Sequence, residues 1–351
     1  MTTIYAAMRN RLLVCTDGED GWTTAEHLKG HDLECVASSP DEPERVFVGT
    51  FEDGLYRTED GGGTFERLET GFRIETGDES RGAEDGGTVE TEAVMSLAVS
   101  PHDPDVVYAG TEPSRVYRSE DGGDSWTHLE GIVDLPSEEE WFFPPRPDTH
   151  HTRWLEVDPF DPDRLYVGIE LGAFIVGDVS DPSDVHWHER PPGSRRDNHS
   201  LAVHPDREGR VYSAAGDGFA VSNDGGESFS HPQDGLEHTY CWSVVPDPAD
   251  PDRILVSSAS GASKAHTAET AASYVYRKDG DEPWERLEER GLPMGDGVVR
   301  AVFTTADGTV YGVNNRGLFR SSDFGDSWER ADVEWDEGLE TQTPRGLVVV
   351  P

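Results

Sequence analysis

Lysine is nearly missing from this 351-residue sequence: Lys29, Lys264 and Lys278 are the only three, and 29 basic residues face 71 acidic ones. A formal net charge of −42 disfavours nucleic acid as a partner, since phosphate binding needs clustered cations and weakens steeply with salt. At ordinary ionic strength such self-repulsion opposes compaction. At molar salt the Debye length falls to about 3 Å and most of the repulsion is screened. The composition therefore predicts a protein of a haloarchaeon-like halophile that requires high salt for stability.

Cysteine is also scarce. Cys15, Cys35 and Cys241 are odd in number and form no C-x-x-C, which argues against a disulfide framework or a zinc cage and leaves them as small buried hydrophobes. No apolar run approaches the ~20 residues that a membrane helix needs. The first residues, Met1 to Ala7, lack the charged and apolar regions of a signal peptide, which predicts a cytoplasmic protein. No stretch sustains an amphipathic helical period, so helix is expected to be nearly absent.

What is present is turn chemistry and short β-branched or aromatic runs, with 38 glycines and 23 prolines. Four segments share one eight-residue pattern: Thr58–Phe65 (TEDGGGTF), Ser119–Trp126 (SEDGGDSW), Ser222–Phe229 (SNDGGESF) and Ser321–Trp328 (SSDFGDSW). Degraded copies run from Asp17 to Trp22 and Asp279 to Trp284, with a stretched one around Asp178 to Trp187. An Asp carboxylate can accept hydrogen bonds from its own turn while Gly supplies positive φ. Asp60, Asp121, Asp224 and Asp323 are therefore read as structural, with the aromatic anchoring the hairpin.

Each copy is embedded in a unit of four strands, seen in Met95–Ser100, Asp105–Thr111, Arg115–Ser119 and Trp126–Leu129. Four strands make a propeller blade. The last strand, Gly346–Pro351, has no successor, whereas the three N-terminal strands lack a first strand. The sequence thus predicts an all-β chain forming a single seven-bladed β-propeller over residues 1–351, closed by the C-terminal strand joining the N-terminal three. The expected blades are 4–28 plus 346–351, 33–72, 94–132, 153–190, 198–236, 241–289 and 298–333.

The eight-residue pattern resembles the Asp-box, or BNR repeat, found in sialidases, xyloglucanases, sortilin-type receptors and photosystem II assembly factors. The assembly factors are single seven-bladed propellers and are similar in size, although their partner-binding surface is basic. Xyloglucanases pair two propellers across a cleft, and sortilin-type receptors carry ten blades. In sialidases, which have six blades, an arginine triad holds the sugar carboxylate, a Tyr paired with Glu is the nucleophile and an Asp is the acid/base. By that resemblance Tyr240 with an unassigned Glu would be the counterpart here.

The boxes lie on one rim, so function is expected on the other, which carries the long insertions 71–93, 131–152, 260–273 and 331–344. Reading across the start of each first strand gives Glu34, Met95, Arg153, His199, Tyr240, Val299 and Arg345 as a ring around the channel mouth, with Arg300 following. Arg153, Arg300 and Arg345 offer planar donors to an anion, with Trp154 and Tyr240 beside them. His150, His151, His199 and His238 are candidate ligands for a divalent transition metal, with His266 on the same rim. Glu34, Glu112 and Glu170, with Glu52, are candidate carboxylates for glycosidase chemistry.

Two uses remain open. The first is a propeller that binds a small molecule, a glycan or a protein partner without chemistry. The second is a glycoside hydrolase or a metal-dependent hydrolase or lyase.

Overall fold

The computed structural model describes residues 1–19, 21–76 and 87–351. Seven antiparallel sheets stand around one axis, each a blade whose first strand faces the channel. These innermost strands adjoin one another in cyclic order: Leu33–Ser39, Val94–Val99, Thr152–Val157, Asn198–Val203, Tyr240–Asp247, Val302–Ala306 and Gly346–Val350, which returns to the first.

Closure follows the expected route. Gly346–Val350 pairs antiparallel with Thr3–Met8, which continues into Arg11–Gly18 and Gly21–His27. The register Ala6 to Leu347 and Tyr5 to Val348 covers the edge of Thr3–Met8 that another chain could otherwise extend. Two blades depart from four strands: after Asn198–Val203, Val211–Ala215 and Gly218–Ser222, one has its outermost strand reduced to the single bridge between Val221 and Ser230, and the blade of Tyr240–Asp247 gains Gly295–Asp296 as a fifth strand against Ala272–Asp279.

The apolar core lies between blades. Seven clusters of buried side chains each span one interface between neighbours, such as Phe47, Leu55 and Phe72 with Val107, Ala109 and Tyr117. Second strands are buried on both faces, as in Val107–Thr111 and Val211–Ala215, which is why they read as continuous apolar runs. Outermost strands such as Glu66–Arg67 and Glu329–Arg330 are exposed and charged. The three cysteines are buried and free.

Each of the four repeated eight-residue segments, or boxes, is a closed hydrogen-bonded turn. Asp60 Oδ1 accepts from the Thr64 amide at 2.9 Å and from Thr58 Oγ1 at 2.8 Å, while Oδ2 accepts from Thr64 Oγ1 at 2.8 Å. The Gly62 amide donates to Thr58 Oγ1 at 3.0 Å. Asp121, Asp224 and Asp323 repeat the pattern with serines. The box then docks on the preceding blade. At Gly123 (φ 95°) an added Cβ would come within 2.9 Å of the Phe47 ring, so glycine supplies both the dihedral and the clearance. Arg57 latches the same box by donating to Gly122 O at 2.8 Å and Asp124 Oδ1 at 2.7 Å.

Among the described residues helix is confined to short pieces in the insertions: Ile132–Asp134, Glu138–Glu140, Ala262–His266 and Glu337–Glu340. No helix among the described residues is long and apolar enough to cross a membrane. The insertion at 71–93 forms a hairpin of Arg73–Thr76 with Gly87–Glu90, and its residues 77–86 lie outside the described part.

Candidate binding site at the channel mouth

Five innermost strands carry a β-bulge at equivalent positions, and the extra residues are Glu34, Met95, Arg153, His199 and Trp242. A bulge inserts one residue opposite a single partner and re-aims its side chain. Here the bulge brings Glu34, Met95, Arg153 and Trp242 to the wall of the channel mouth, with His199 stacked on Trp242 behind it. Four of these match the ring read across the sequence; in the sixth blade the bulged residue is Trp242, two positions past Tyr240. Val299 is buried.

The mouth opens into a cavity of about 390 Å³ lined by Glu34, Arg153, Glu170, Tyr240, Trp242 and Arg345, among others. Below it lies a second space of about 400 Å³ with walls of Val36, Leu97, Val99, Leu155 and Leu347. Trp154 lines that lower part and donates from Nε1 to Glu156 Oε2 at 3.2 Å. Glu156 is half-exposed to the lumen but walled in by protein, which pushes its carboxyl up to about 7.

Trp242 is the centre of the upper cavity. The Arg300 guanidinium lies 3.9 Å from its ring centroid and that of Arg153 lies 5.0 Å away. His199 stacks on the indole at 4.3 Å, and His266 meets it edge-on at 4.4 Å. Cation–π contacts of this kind hold guanidinium groups against an apolar wall without neutralising them. Glu34 sits between two of the arginines, 3.4 Å from Arg345 and 3.9 Å from Arg153.

The arginines are under-used. Nε of Arg153, both Nη of Arg300 and Nε of Arg345 are buried without a hydrogen-bond partner. Arg300 is fully buried behind Trp242, with one side-chain hydrogen bond, from its Nε to His266 Nδ1 at 3.3 Å. Burial and the charges of Arg345 and Arg153 all disfavour its charged form, yet a guanidinium stays protonated in proteins. The result is a buried cation short of partners.

That hydrogen bond also fixes the neighbouring tautomer. Arg300 Nε can only donate, so Nδ1 of His266 is an acceptor. Burial and the charge of Arg300 push His266 well below its ordinary pKa, so the ring is neutral and carries its proton on Nε2. Nε2 lies 3.2 Å from Tyr240 Oη and therefore donates to it, which leaves the Tyr240 hydroxyl proton for the cavity. Burial and the charges of Glu170 and Asp197 push the Tyr240 phenol up, opposite to the activation that a nucleophile needs.

On the other side, Arg146 forms a two-pronged pair with Glu112 at 2.6 and 2.5 Å and packs on Phe51 and Phe143. His151 is almost wholly buried, with Nε2 bonded to Glu170 Oε2 at 3.0 Å and Nδ1 3.3 Å from Glu112 Oε2, the latter without hydrogen-bond alignment. Burial opposes its charging, but Glu112 and Glu170 outweigh it and raise its pKa. Burial likewise raises Glu112 and Glu170, but Arg146 and His151 bring the first, and His151, His199 and Arg153 the second, below the ordinary carboxylate range. Both are held ionised, so neither is set up as a general acid.

His199 Nε2 lies 3.8 Å from Glu170 Oε1 and 3.7 Å from Asp197 Oδ1. His150 and His238 do not reach this group. His150 bonds Glu138 at 3.0 Å against the edge of Trp141, and His238 bonds Tyr276 and stacks on Tyr274. Glu52 is exposed. Residues missed in the sequence are Arg146, Asp197 and Trp242; the periodic bulge is the signal that would have found Trp242.

Ring, boxes and mouth define a seven-bladed β-propeller. No protein family and no curated protein matches this sequence. Among solved structures, an ancestral GH74 enzyme is similar with a TM-score of 0.62 and 13% identity, covering 87% of this chain and 39% of that one. The GH74 enzyme of Niastella koreensis gives 0.61 and 15%, covering 92% and 53%. YCF48 bound to D1 peptide gives 0.57 and 14%, covering 92% and 94%. At these identities the likeness is one of fold. The chain spans only about two-fifths and one-half of the two GH74 enzymes.

Proposed function

We propose that this propeller binds a ligand bearing an anionic group, a carboxylate on a small molecule, glycan or protein segment, at the channel mouth. The observation that carries the reading is the set of four buried guanidinium nitrogens on Arg153, Arg300 and Arg345 without partners, since buried polar groups are ordinarily satisfied. Arg153 and Arg345 line the cavity with Tyr240 as a third donor, and Arg300 reinforces them from behind Trp242. On a chain of net charge −42 the mouth sets Arg9, Arg146, Arg153 and Arg345 against only Glu34, Glu170 and Asp197, a local cationic excess that favours an incoming anion.

A paired-carboxylate hydrolase is supported less well, because Glu112 and Glu170 both serve as ionised partners of His151. The test is calorimetric titration in molar KCl with a uronic acid, a simple dicarboxylate and a neutral sugar. Acids are expected to bind and the neutral sugar to fail, with affinity falling about tenfold or more in Arg345→Gln, as for loss of a charge-assisted hydrogen bond. Equal binding of the neutral sugar, or no effect of Arg345→Gln, would overturn the reading.

A further inference from the structure

A second group in the same mouth has a chemistry that anion binding does not use. Glu170 follows a second strand, Asp197 precedes Asn198–Val203, and His199 is the bulged residue of that strand. One ligand atom from each lies within 4.8 Å of the others. His199 is fully buried, and its Nδ1 is bonded to Cys241 O at 2.6 Å. A carbonyl can only accept, so Nδ1 carries a proton, and Nε2 is the nitrogen whose lone pair the neutral ring offers. That Nε2 is buried without a hydrogen-bond partner, and it faces two carboxylate oxygens that also present lone pairs.

Three such ligand atoms within 4.8 Å of one another call for a cation. A proton on Nε2 does not satisfy the arrangement, because 3.7 and 3.8 Å exceed hydrogen-bond range. A metal does: ligands about 2.0–2.2 Å from one ion lie roughly 3–4 Å apart, the range of both imidazole–carboxylate separations. We propose that Glu170, Asp197 and His199 bind a divalent first-row transition metal, Zn²⁺ or Mn²⁺ in class, with an open coordination face toward the cavity. Mixed imidazole and carboxylate ligation selects such ions over K⁺, Mg²⁺ or Ca²⁺.

Each ligand is held from behind, as metal ligands are. His199 is fixed by Cys241 O and by the stacked Trp242. Asp197 Oδ1 accepts from the Leu171 amide at 3.1 Å, and Glu170 Oε2 accepts from His151. Glu170 and Asp197 line the cavity while His199 lies behind them, so the open face points where a ligand enters.

The probe is the metal alone, added to the chelator-stripped full chain in molar KCl without any organic acid. The expected result is one equivalent of Zn²⁺ or Mn²⁺ retained through gel filtration and measured by elemental analysis. Affinity should fall about 100-fold or more in Asp197→Asn and Glu170→Gln, since even outer-shell changes cost 10–100-fold. His238→Ala, remote from the group, should bind as the parent does. Absence of stoichiometric uptake, uptake undiminished in both carboxamide variants, or equal loss in His238→Ala would overturn the proposal. Should the carboxamide variants fail to fold, Co²⁺ added to the parent chain decides, with visible d–d bands expected and their absence fatal. Metal uptake failing while acids still bind sinks this inference and leaves the proposed function standing; the converse result separates them the other way.

Discussion

At the rim of the repeated turns, Asp121 accepts from the Ser125 amide, the Ser125 hydroxyl and the Ser119 hydroxyl within 2.8 Å, and the same arrangement is found in four blades. At the mouth, Arg300 occurs once, is buried more deeply than any box aspartate, and makes one side-chain hydrogen bond. The aspartates of the repeated turns have their oxygens satisfied; the Arg300 guanidinium has both Nη atoms buried without a partner. Satisfied polar groups stabilise the ring, whereas buried unsatisfied ones cost stability. Repetition therefore marks scaffold in this molecule, and its interruption marks the candidate site.

The largest expected effect comes from breaking what both rims share. Removing residues 346–351 takes away the strand paired with Thr3–Met8, and tryptophan emission during heating in high salt should lose its cooperative transition. Unchanged melting would show that the ring closes some other way.

Acid should act on the repeated rim next. Hydrogen bonds from Thr64 and Thr58 lower Asp60 to about 2, and Asp121, Asp224 and Asp323 are lowered in the same direction. A depressed folded pKa gives stability that is fully present above the unfolded value near 3.9 and lost as pH falls through the folded one. Melting temperature should thus decline between about pH 4 and pH 2, less steeply in Asp121→Asn and as in the parent for Arg300→Met.

Single substitutions sharpen the contrast further. Arg300→Met removes a buried charge short of partners and should leave unliganded stability unchanged or raise it by about 1–3 kcal/mol, while anion affinity drops about tenfold. Asp224→Ala should do the reverse, costing about 1 kcal/mol of stability, as loss of a turn-capping side chain does, with affinity intact. Chemical denaturation paired with calorimetry reads both, and a destabilised Arg300→Met would erase the distinction between rims. The smallest effect is expected at Glu34, which competes for Arg345 and Arg153. Glu34→Gln should tighten anion binding a few-fold, about 0.5–1 kcal/mol as for a partly screened pair.

The ring was legible because a blade is a local object: Asp60 and Thr64, or Gly346–Val350 and the missing first strand, are read from neighbouring residues or from repeat bookkeeping. The mouth is not local. Glu34, Arg153, His199 and Arg345 could be aligned because a bulge repeats at the same place in successive first strands, but Trp242 was displaced to Tyr240 by two residues. Asp197 carries no pattern of its own, being one acid among 71, and Arg146 reaches Glu112 from an irregular insertion. His150 and His238 adjoin the mouth in sequence, yet Glu138 and Tyr276 hold them elsewhere.

Closure by the two ends of the chain has a consequence in time. During synthesis Thr3–Met8 emerges first, but the strand that covers its edge is translated last. At about 5–20 residues per second the ribosome leaves that edge unpaired for roughly 15–70 seconds, while the other six blades can fold as they appear. An uncovered strand is a template for pairing with another nascent chain. The period between first and last strand is therefore when two copies on one messenger are most exposed to exchanging ends.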